Sequence, residues 1–370
     1  MTGDCKCLAP LPDPFVFRDG SRVASRDDWS RRRAEIAELI LDVEYGGLPP
    51  APDSLDVQRL HTHNEKHLDG AKYTQYRLVH GGHPAFHFRL DVLVPNADAP
   101  VPVVLTGDGC YQYVTDNLRR DILSRGFALA VFSRTAIVPD LYNSDRDTGL
   151  YLAYPDHTFG ALAAWAWGYH RAVDALERID GVDASRIAIT GHSRGGKTAL
   201  LAGATDERIA VTAPNGSGTG GTGSFLCQGP ECERLADTIR MIPYWYGPKL
   251  PAYVDREPEL GFDQHFLEAM VAPRGFLNTN GLGDLWGNPA GAWQVHMAAR
   301  EVYRFLDAED GIGHAYRAGG HDHSQTDWEV FLDFAQWRLQ GKRQARSFDD
   351  NPYPDAQPTF SWRSPAASAS

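Results

Sequence analysis

Runs of basic residues, long apolar stretches and cysteine are all scarce in this chain of 370 residues, and each shortage excludes something. With 36 Lys and Arg against 48 Asp and Glu, the formal net charge is −12. No cluster of Lys or Arg is dense enough to follow a phosphate backbone, so nucleic acid is not an expected partner. No window of about 18 uninterrupted apolar residues occurs, which excludes a membrane-spanning helix. The opening MTGDCKCLAPLPDPF has neither the basic start nor the apolar stretch of a secretory signal. The expectation is a cytoplasmic protein with no membrane partner. The five cysteines, Cys5, Cys7, Cys110, Cys227 and Cys232, are odd in number and too few for a disulfide framework. Reduced thiols are expected, with a local bridge between Cys227 and Cys232 left open. Cys5 and Cys7 form a C-x-C with no second pair nearby, which is a poor zinc pattern. No linker rich in Pro, Ser and Gly divides the chain. Residues 1–345 therefore read as one domain with an N-terminal helix and hairpin extension, and residues 346–370 as a loosely ordered tail.

What the chain has is core material, 42% hydrophobic residues and nine tryptophans, and one stretch around which the rest is organised. Residues 187–202 read IAITGHSRGGKTALLA, in which Gly191, Ser193 and Gly195 fit G-x-S-x-G. The pattern is common by chance in a chain with 36 glycines, but a branched, strand-like run precedes it and an unbroken helical run follows. That context makes it a nucleophile elbow, the strained strand-to-helix turn that presents a serine oxygen at the carboxyl end of a parallel sheet.

The flanking chain supports this. Ser25 followed by Asp27 and Asp28 opens an amphipathic helix ending near Gly46. Residues 72–79 and 85–94 alternate as an antiparallel hairpin. Just before it, His61, His63 and His67 read as an exposed polar loop, with metal binding the weaker alternative. Strands at 101–106, 127–132, 186–190, 209–213, 274–279 and near 314–317 then alternate with helices at 116–124, 159–179, 197–203, 290–305 and 328–339. Such alternation predicts an α/β-hydrolase fold, a doubly wound, mostly parallel sheet flanked by helices.

In that fold the acid and the histidine follow the serine in chain order. The loop Gly319-Gly320-His321-Asp322-His323 lies between a short strand and the last helix, where the base is presented; His321 is preferred because it follows the glycine pair, and His323 stays open. Asp284 follows the strand that ends at Thr279 and is the chosen acid, ahead of Asp263, Asp322 and Asp327. Oxyanion donors are expected from the backbone N–H of Arg194 and from the loop at 107–110. Lys197, one helical turn beyond the serine, faces either a polar substrate group or solvent.

At this point the residues resemble a known family. GHSRGGK resembles the G-C-S-R-x-G-K motif of the glucuronoyl esterases, carbohydrate esterase family fifteen. LPDPFVFRDG, RRRAEIAELILDVEYG, WAWGYHRAVDALE, FDQHFLEAMVAPRG, GDLWGNPAG and GGHDH resemble other family segments, so the likeness spans nearly the whole chain. It implies a serine esterase that cleaves the ester between a glucuronic acid carboxyl and an alcohol, with no metal or cofactor. It also implies that Arg194 helps form the oxyanion hole, that Lys197 contacts sugar hydroxyls, and that Trp286 of GDLWGNPAG binds substrate. Many members carry a glutamate where Gly216 stands, whereas the bacterial relatives place the acid where Asp284 stands. The cysteines that some members bridge beside the site are His192 and Ser324 here. In those members the base adjoins the cysteine, the position of His323, but GGHDHSQTDW is closer to the bacterial relatives and keeps His321 as the reading. Esterases for acetylated sugars or other small esters are the alternative within the enzyme class, and a non-catalytic carbohydrate-binding protein of the same fold is the alternative outside it.

Overall fold

The computed structural model describes residues 5–83, 85–142, 146–343 and 345–365. Its first half contains β1 (Lys6–Cys7), α1 (Arg26–Ile40), β2 (Leu55–Glu65), β3 (Ala71–His80), β4 (His87–Val94), β5 (Val101–Thr106), α2 (Asp116–Ser124), β6 (Ala128–Phe132) and α3 (Ala161–Leu176). The second half adds β7 (Val182–His192), α4 (Arg194–Thr205), β8 (Ile209–Asn215), β9 (Cys227–Gln228), α5 (Leu235–Met241), α6 (His265–Val271), β10 (Gly275–Gly281), α7 (Pro289–Phe305), β11 (Ile312–Arg317) and α8 (Gln325–Gln340). The main sheet has nine strands in the order β11-β10-β8-β7-β5-β6-β4-β3-β2. From β11 to β6 all neighbours are parallel, and β4, β3 and β2 continue antiparallel. This is the mostly parallel, doubly wound architecture that the alternation of strands and helices predicts. Among the described residues no helix is long and apolar enough to cross a membrane.

Local sequence explains the elements. The Ser25 side chain and Asp28 form a reciprocal capping box at the start of α1, which buries Trp29, Ile36 and Ile40 at helical spacing. Gly46, left-handed at φ 71°, ends the π-helical turn Leu41–Tyr45 that follows. In β5 every residue is buried, and the pleat sends Val103 and Leu105 to the core under α3 and α4 while Val104 joins the core under α2 and α8. A strand buried on both faces must be apolar throughout, as VPVVLT nearly is.

Two expectations need correction. The polar stretch before the hairpin is not a loop: His61 and His63 lie in the strand β2, and His67 in the 3-10 turn Lys66–Leu68 that follows it. His61 Nε2 lies 2.9 Å from His63 Nδ1, and His63 and His67 pair with Glu65. From Arg59 to Asn64 both faces of this edge strand are exposed, so no buried side imposes a period of two on the sequence. The segment after residue 346 is not loose either. Phe348 stacks on Trp337, Tyr353 and Phe360 are buried, and Trp362 donates its indole N–H to the Leu11 carbonyl at 2.8 Å. Four aromatic anchors among many Pro, Ser and Asp are enough to fasten the strap. Residues 366–370 of the expected tail lie outside the described residues.

Glu44, in the turn after α1, is fully buried, and Gln264 Nε2 donates to its two oxygens at 3.3 and 3.1 Å. Burial, only partly offset by Gln264, pushes its carboxyl up to about 8. The unfolded carboxyl titrates near about 4.3, so between these values the folded chain keeps a proton that the unfolded chain releases. Stability therefore falls as pH rises through that window. Glu44→Gln removes the titration, and thermal melts should show a variant that gains on the parent by several degrees at about pH 9 and much less near pH 5. A difference independent of pH would mean that Glu44 does not titrate there.

Candidate active site

Ser193 joins β7 to α4 with φ 59° and ψ −123°, outside the regions that ordinary residues favour. A Cβ at Gly191 would stand 2.3 Å from the Gly195 carbonyl oxygen, and one at Gly195 would stand 2.1 Å from Asp108 Oδ1. Both glycines are required by close approach, the first to the turn itself and the second to a buried carboxylate. Asp108 lies beneath the elbow, accepting the His192 N–H at 2.7 Å and paired with the buried Arg134 guanidinium. The Ser193 N–H donates to the Asn215 carbonyl at 2.9 Å, which ties the elbow to the end of β8.

β10 and β11 bring two further groups to the same end of the sheet. Their parallel register continues beyond the strands, with Leu282 N–H donating to the Arg317 carbonyl and Gly283 N–H to the Gly319 carbonyl, both at 2.8 Å. The loops carrying Asp284 and His321 are thereby held side by side. His321 Nδ1 is 2.6 Å from Asp284 Oδ2, and the imidazole side chain is 45% exposed against 7% for the carboxylate. Gly287 N–H donates to Asp284 Oδ1 at 3.2 Å, orienting the acid. A half-open imidazole with an oriented carboxylate on Nδ1 has Nε2 available as a base.

The rival residues are engaged elsewhere. His323 is stacked between Trp328 and His192, with centroid distances of 4.5 and 5.7 Å, and burial together with His192 and Arg317 keeps it neutral. Asp327 caps α8 with Ser324 and pairs with Arg317. Asp263 is buried beneath the insertion after β8, accepting from Ser224, Phe225 and Leu226. Asp322 offers its carbonyl to Arg317.

The expected oxyanion loop differs in detail. Gly107 N–H donates to the Tyr169 hydroxyl at 2.8 Å and Asp108 N–H to Thr106 Oγ1 at 3.2 Å, so its first two donors face inward. Arg194 opens α4, and its guanidinium is bound to Asp140 Oδ2 at 2.6 Å and lies over the Trp245 ring. Tyr244 and Trp245 donate to the other Asp140 oxygen, each at 3.0 Å, so the arginine is held from both sides of its partner.

Lys197 is not a surface cation. It is 3% exposed, donates to the Thr219 carbonyl, and has Glu233 Oε2 at 3.7 Å. Burial lowers its ammonium pKa and Glu233 opposes that shift. A Cβ at Gly218 would lie 3.5 Å from both Lys197 Nζ and Gly287 Cα, so the glycine sits between the lysine and the acid loop. Trp286, 48% exposed, stands in that loop, and its carbonyl accepts the Glu233 N–H at 2.9 Å.

Glu233, Asp140, Asn215 and the role of His192 are not legible in the sequence. His192 donates from Nδ1 to Asn215 Oδ1 at 2.6 Å, because the Asn215 amide nitrogen already donates to Thr279 Oγ1 at 2.8 Å. Burial holds its imidazole down to about 4, and the neutral ring packs on His321 at 4.6 Å. The only signal for these residues was the elbow itself, since each is placed by contact with it or with the loops beside it.

Comparison with known proteins gives consistent results. Residues 79–307 match the family described as glucuronyl esterase, fungi. The chain is 32% identical over 330 residues to the 4-O-methyl-glucuronoyl methylesterase of Cerrena unicolor, covering 85% of this chain and 66% of that relative. It thus spans just under two thirds of the relative's length. A carbohydrate esterase family 15 glucuronoyl esterase from Caldicellulosiruptor kristjansonii superposes with a TM-score of 0.83 at 31% identity over 95% of each chain. A serine-to-alanine mutant of the Sporotrichum thermophile glucuronoyl esterase, solved with methyl 4-O-methyl-beta-D-glucopyranuronate, matches at 25% identity with a TM-score of 0.76 over 91% of this chain and 89% of that one.

Proposed function

Since the chain belongs to the glucuronoyl esterase family, we propose that it is a serine carboxylic-ester hydrolase that cleaves glucuronoyl esters through an acyl-enzyme intermediate. The observation that carries this reading is the strained Ser193 elbow beside an imidazole whose Nδ1 is held by a buried carboxylate at 2.6 Å. His321 Nε2 takes the Ser193 hydroxyl proton as Oγ attacks the uronate carbonyl carbon, and Asp284 stabilises the imidazolium that forms. The negative charge that develops on the carbonyl oxygen meets the Arg194 N–H at the start of α4, with the guanidinium close by. Collapse expels the alcohol, which takes its proton from His321. Water, deprotonated by the same nitrogen, then releases the uronic acid. The ligand of the Sporotrichum thermophile mutant, a methyl glucuronate, supports the substrate class. Labelling with a fluorophosphonate tests the enzyme reading directly: Ser193 should be modified in the folded protein, and an unreactive Ser193 would leave a binding protein.

Lys197, Glu233 and Trp286 form the sugar side of the site in this reading. An ammonium has three donors, and Thr219 and Glu233 account for two, leaving one for a substrate hydroxyl. Lys197→Ala should lower kcat/KM on benzyl glucuronate about 10²-fold while p-nitrophenyl acetate loses less than about tenfold, because the acetate has no hydroxyl to hold. Equal losses on the two esters would make the lysine a purely structural partner of Glu233. Running benzyl galacturonate and acetylated xylose alongside separates a uronate esterase from a sugar acetyl esterase.

A further inference from the structure

The cysteines are reduced, as the sequence reading expects, and the local Cys227–Cys232 bridge it left open is not formed. All five are thiols, and Cys227 faces Cys7 across the β1–β9 ladder instead of its near neighbour Cys232. The Leu8 N–H donates to the Leu226 carbonyl at 3.0 Å. Hydrogen-bonded pairs alternate along an antiparallel ladder, so Cys7 and Cys227 occupy the intervening position, where Cα atoms come within about 4.5 Å. That spacing falls inside the usual disulfide range of about 4.4–6.8 Å. The two Sγ atoms already lie 3.2 Å apart, so closure needs about 1 Å of side-chain approach and no backbone movement.

The position of Cys227 gives such a bond a consequence. Its carbonyl accepts from Asn288 Nδ2 at 3.0 Å, and Asn288 Oδ1 accepts from Gly229 and Gly291, each at 3.0 Å. Asn288 N–H in turn donates to the Leu285 carbonyl at 3.0 Å, closing the loop that begins at Asp284. Thr359 Oγ1 lies 3.2 Å from Cys227 Sγ, so the C-terminal strap reaches the same point. The segment of β1, the insertion after β8, the Asp284 loop and the strap all meet at this residue.

We propose that Cys7 and Cys227 are an oxidation site, forming a disulfide that staples the N-terminal segment to β9 and through Asn288 steadies the loop of Asp284. Cys7 is half-buried and Cys227 buried, so Cys7 is the thiol that meets an external oxidant. A hydrogen bond from Cys227 lowers the Cys7 thiol against the opposing effect of burial, which favours the attacking thiolate. That thiolate attacks one sulfur of a small-molecule disulfide such as oxidised glutathione and releases one thiolate. Cys227 gives its proton to the departing thiolate and attacks the Cys7 sulfur of the mixed disulfide, expelling the second small thiol. The protein loses two electrons and two protons, and one small disulfide becomes two thiols.

The test uses the full chain equilibrated with oxidised or with reduced glutathione. Oxidation should lower the intact mass by about 2 Da and give one cross-linked peptide joining Cys7 to Cys227. The oxidised form should melt about 5 °C above the reduced form, since the bridge closes a very long loop. Cys7→Ser and Cys227→Ala should each abolish the mass change and the rise in Tm, with ester hydrolysis at ambient temperature kept. A bridge from Cys5 or Cys232, no loss of mass, or a bridge without a rise in Tm would each overturn the proposal.

Discussion

Replacing Ser193 by alanine is expected to reduce turnover of benzyl glucuronate by about 10³-fold or more while the protein folds as before. The serine hydroxyl is the only atom lost, and its backbone contact, the N–H to Asn215, does not depend on the side chain. The strained φ of 59° is retained by alanine at the same cost, because any residue with a Cβ meets it. Residual hydrolysis would come from the oxyanion donors and from substrate binding alone. Steady-state kinetics together with a thermal melt checks this: a Tm near that of the parent with activity lost fits the acyl-enzyme route, and activity within tenfold of the parent would place the nucleophile elsewhere.

Asp284→Asn is expected to lower kcat by roughly 10² to 10⁴ with KM little changed. The amide fills the same space and can still accept the Gly287 N–H through its oxygen. What it loses is the anion on His321 Nδ1, and with it the tautomer that leaves Nε2 unprotonated. The position where many relatives carry their acid offers a second arm. A Cβ at Gly216 would lie 3.6 Å from His321 Nδ1, so the ends of β8 and β10 face the same imidazole. Gly216→Glu in the Asp284→Asn background should therefore restore part of the activity. Restoration is limited because Gly216 has φ 49°, which costs a residue with a side chain about 1 kcal/mol. Nearly full activity in Asp284→Asn alone would remove Asp284 from the mechanism.

How far the sequence could be read follows from which interactions are local. Strand and helix positions were legible because their causes are short-range: the Ser25 capping box, the continuous apolar run of β5, and the glycines that permit the elbow. Serine, acid and histidine could be nominated because chain order and strand ends restrict them to a few loops. Whether Asp284 meets His321 was not legible, since it depends on parallel pairing of β10 with β11 and on loop hydrogen bonds that continue the register. Lys197 shows the limit more sharply. Helical spacing allows it either solvent or substrate, and only the folded insertion, through Thr219 and Glu233, reveals that it is buried. β2 is not legible because both its faces are exposed over Arg59 to Asn64, which removes the alternation of buried and exposed residues, and the strap after residue 346 because a few aromatics outweigh many polar neighbours.

The carboxylate beneath the elbow also bears on how such chains drift over generations. A Cβ on residue 195 would stand 2.1 Å from Asp108 Oδ1, and Asp108 also accepts the His192 N–H and neutralises the fully buried Arg134. A descendant cannot acquire alanine at 195 unless the residue at 108 shrinks, and a smaller residue there strands the guanidinium without a counter-charge. Glycine at position 195 is thus tied to the residues at 108 and 134, although the three are scattered along the chain. A side chain at 195 should be found in natural sequences only together with changes at 108 and 134.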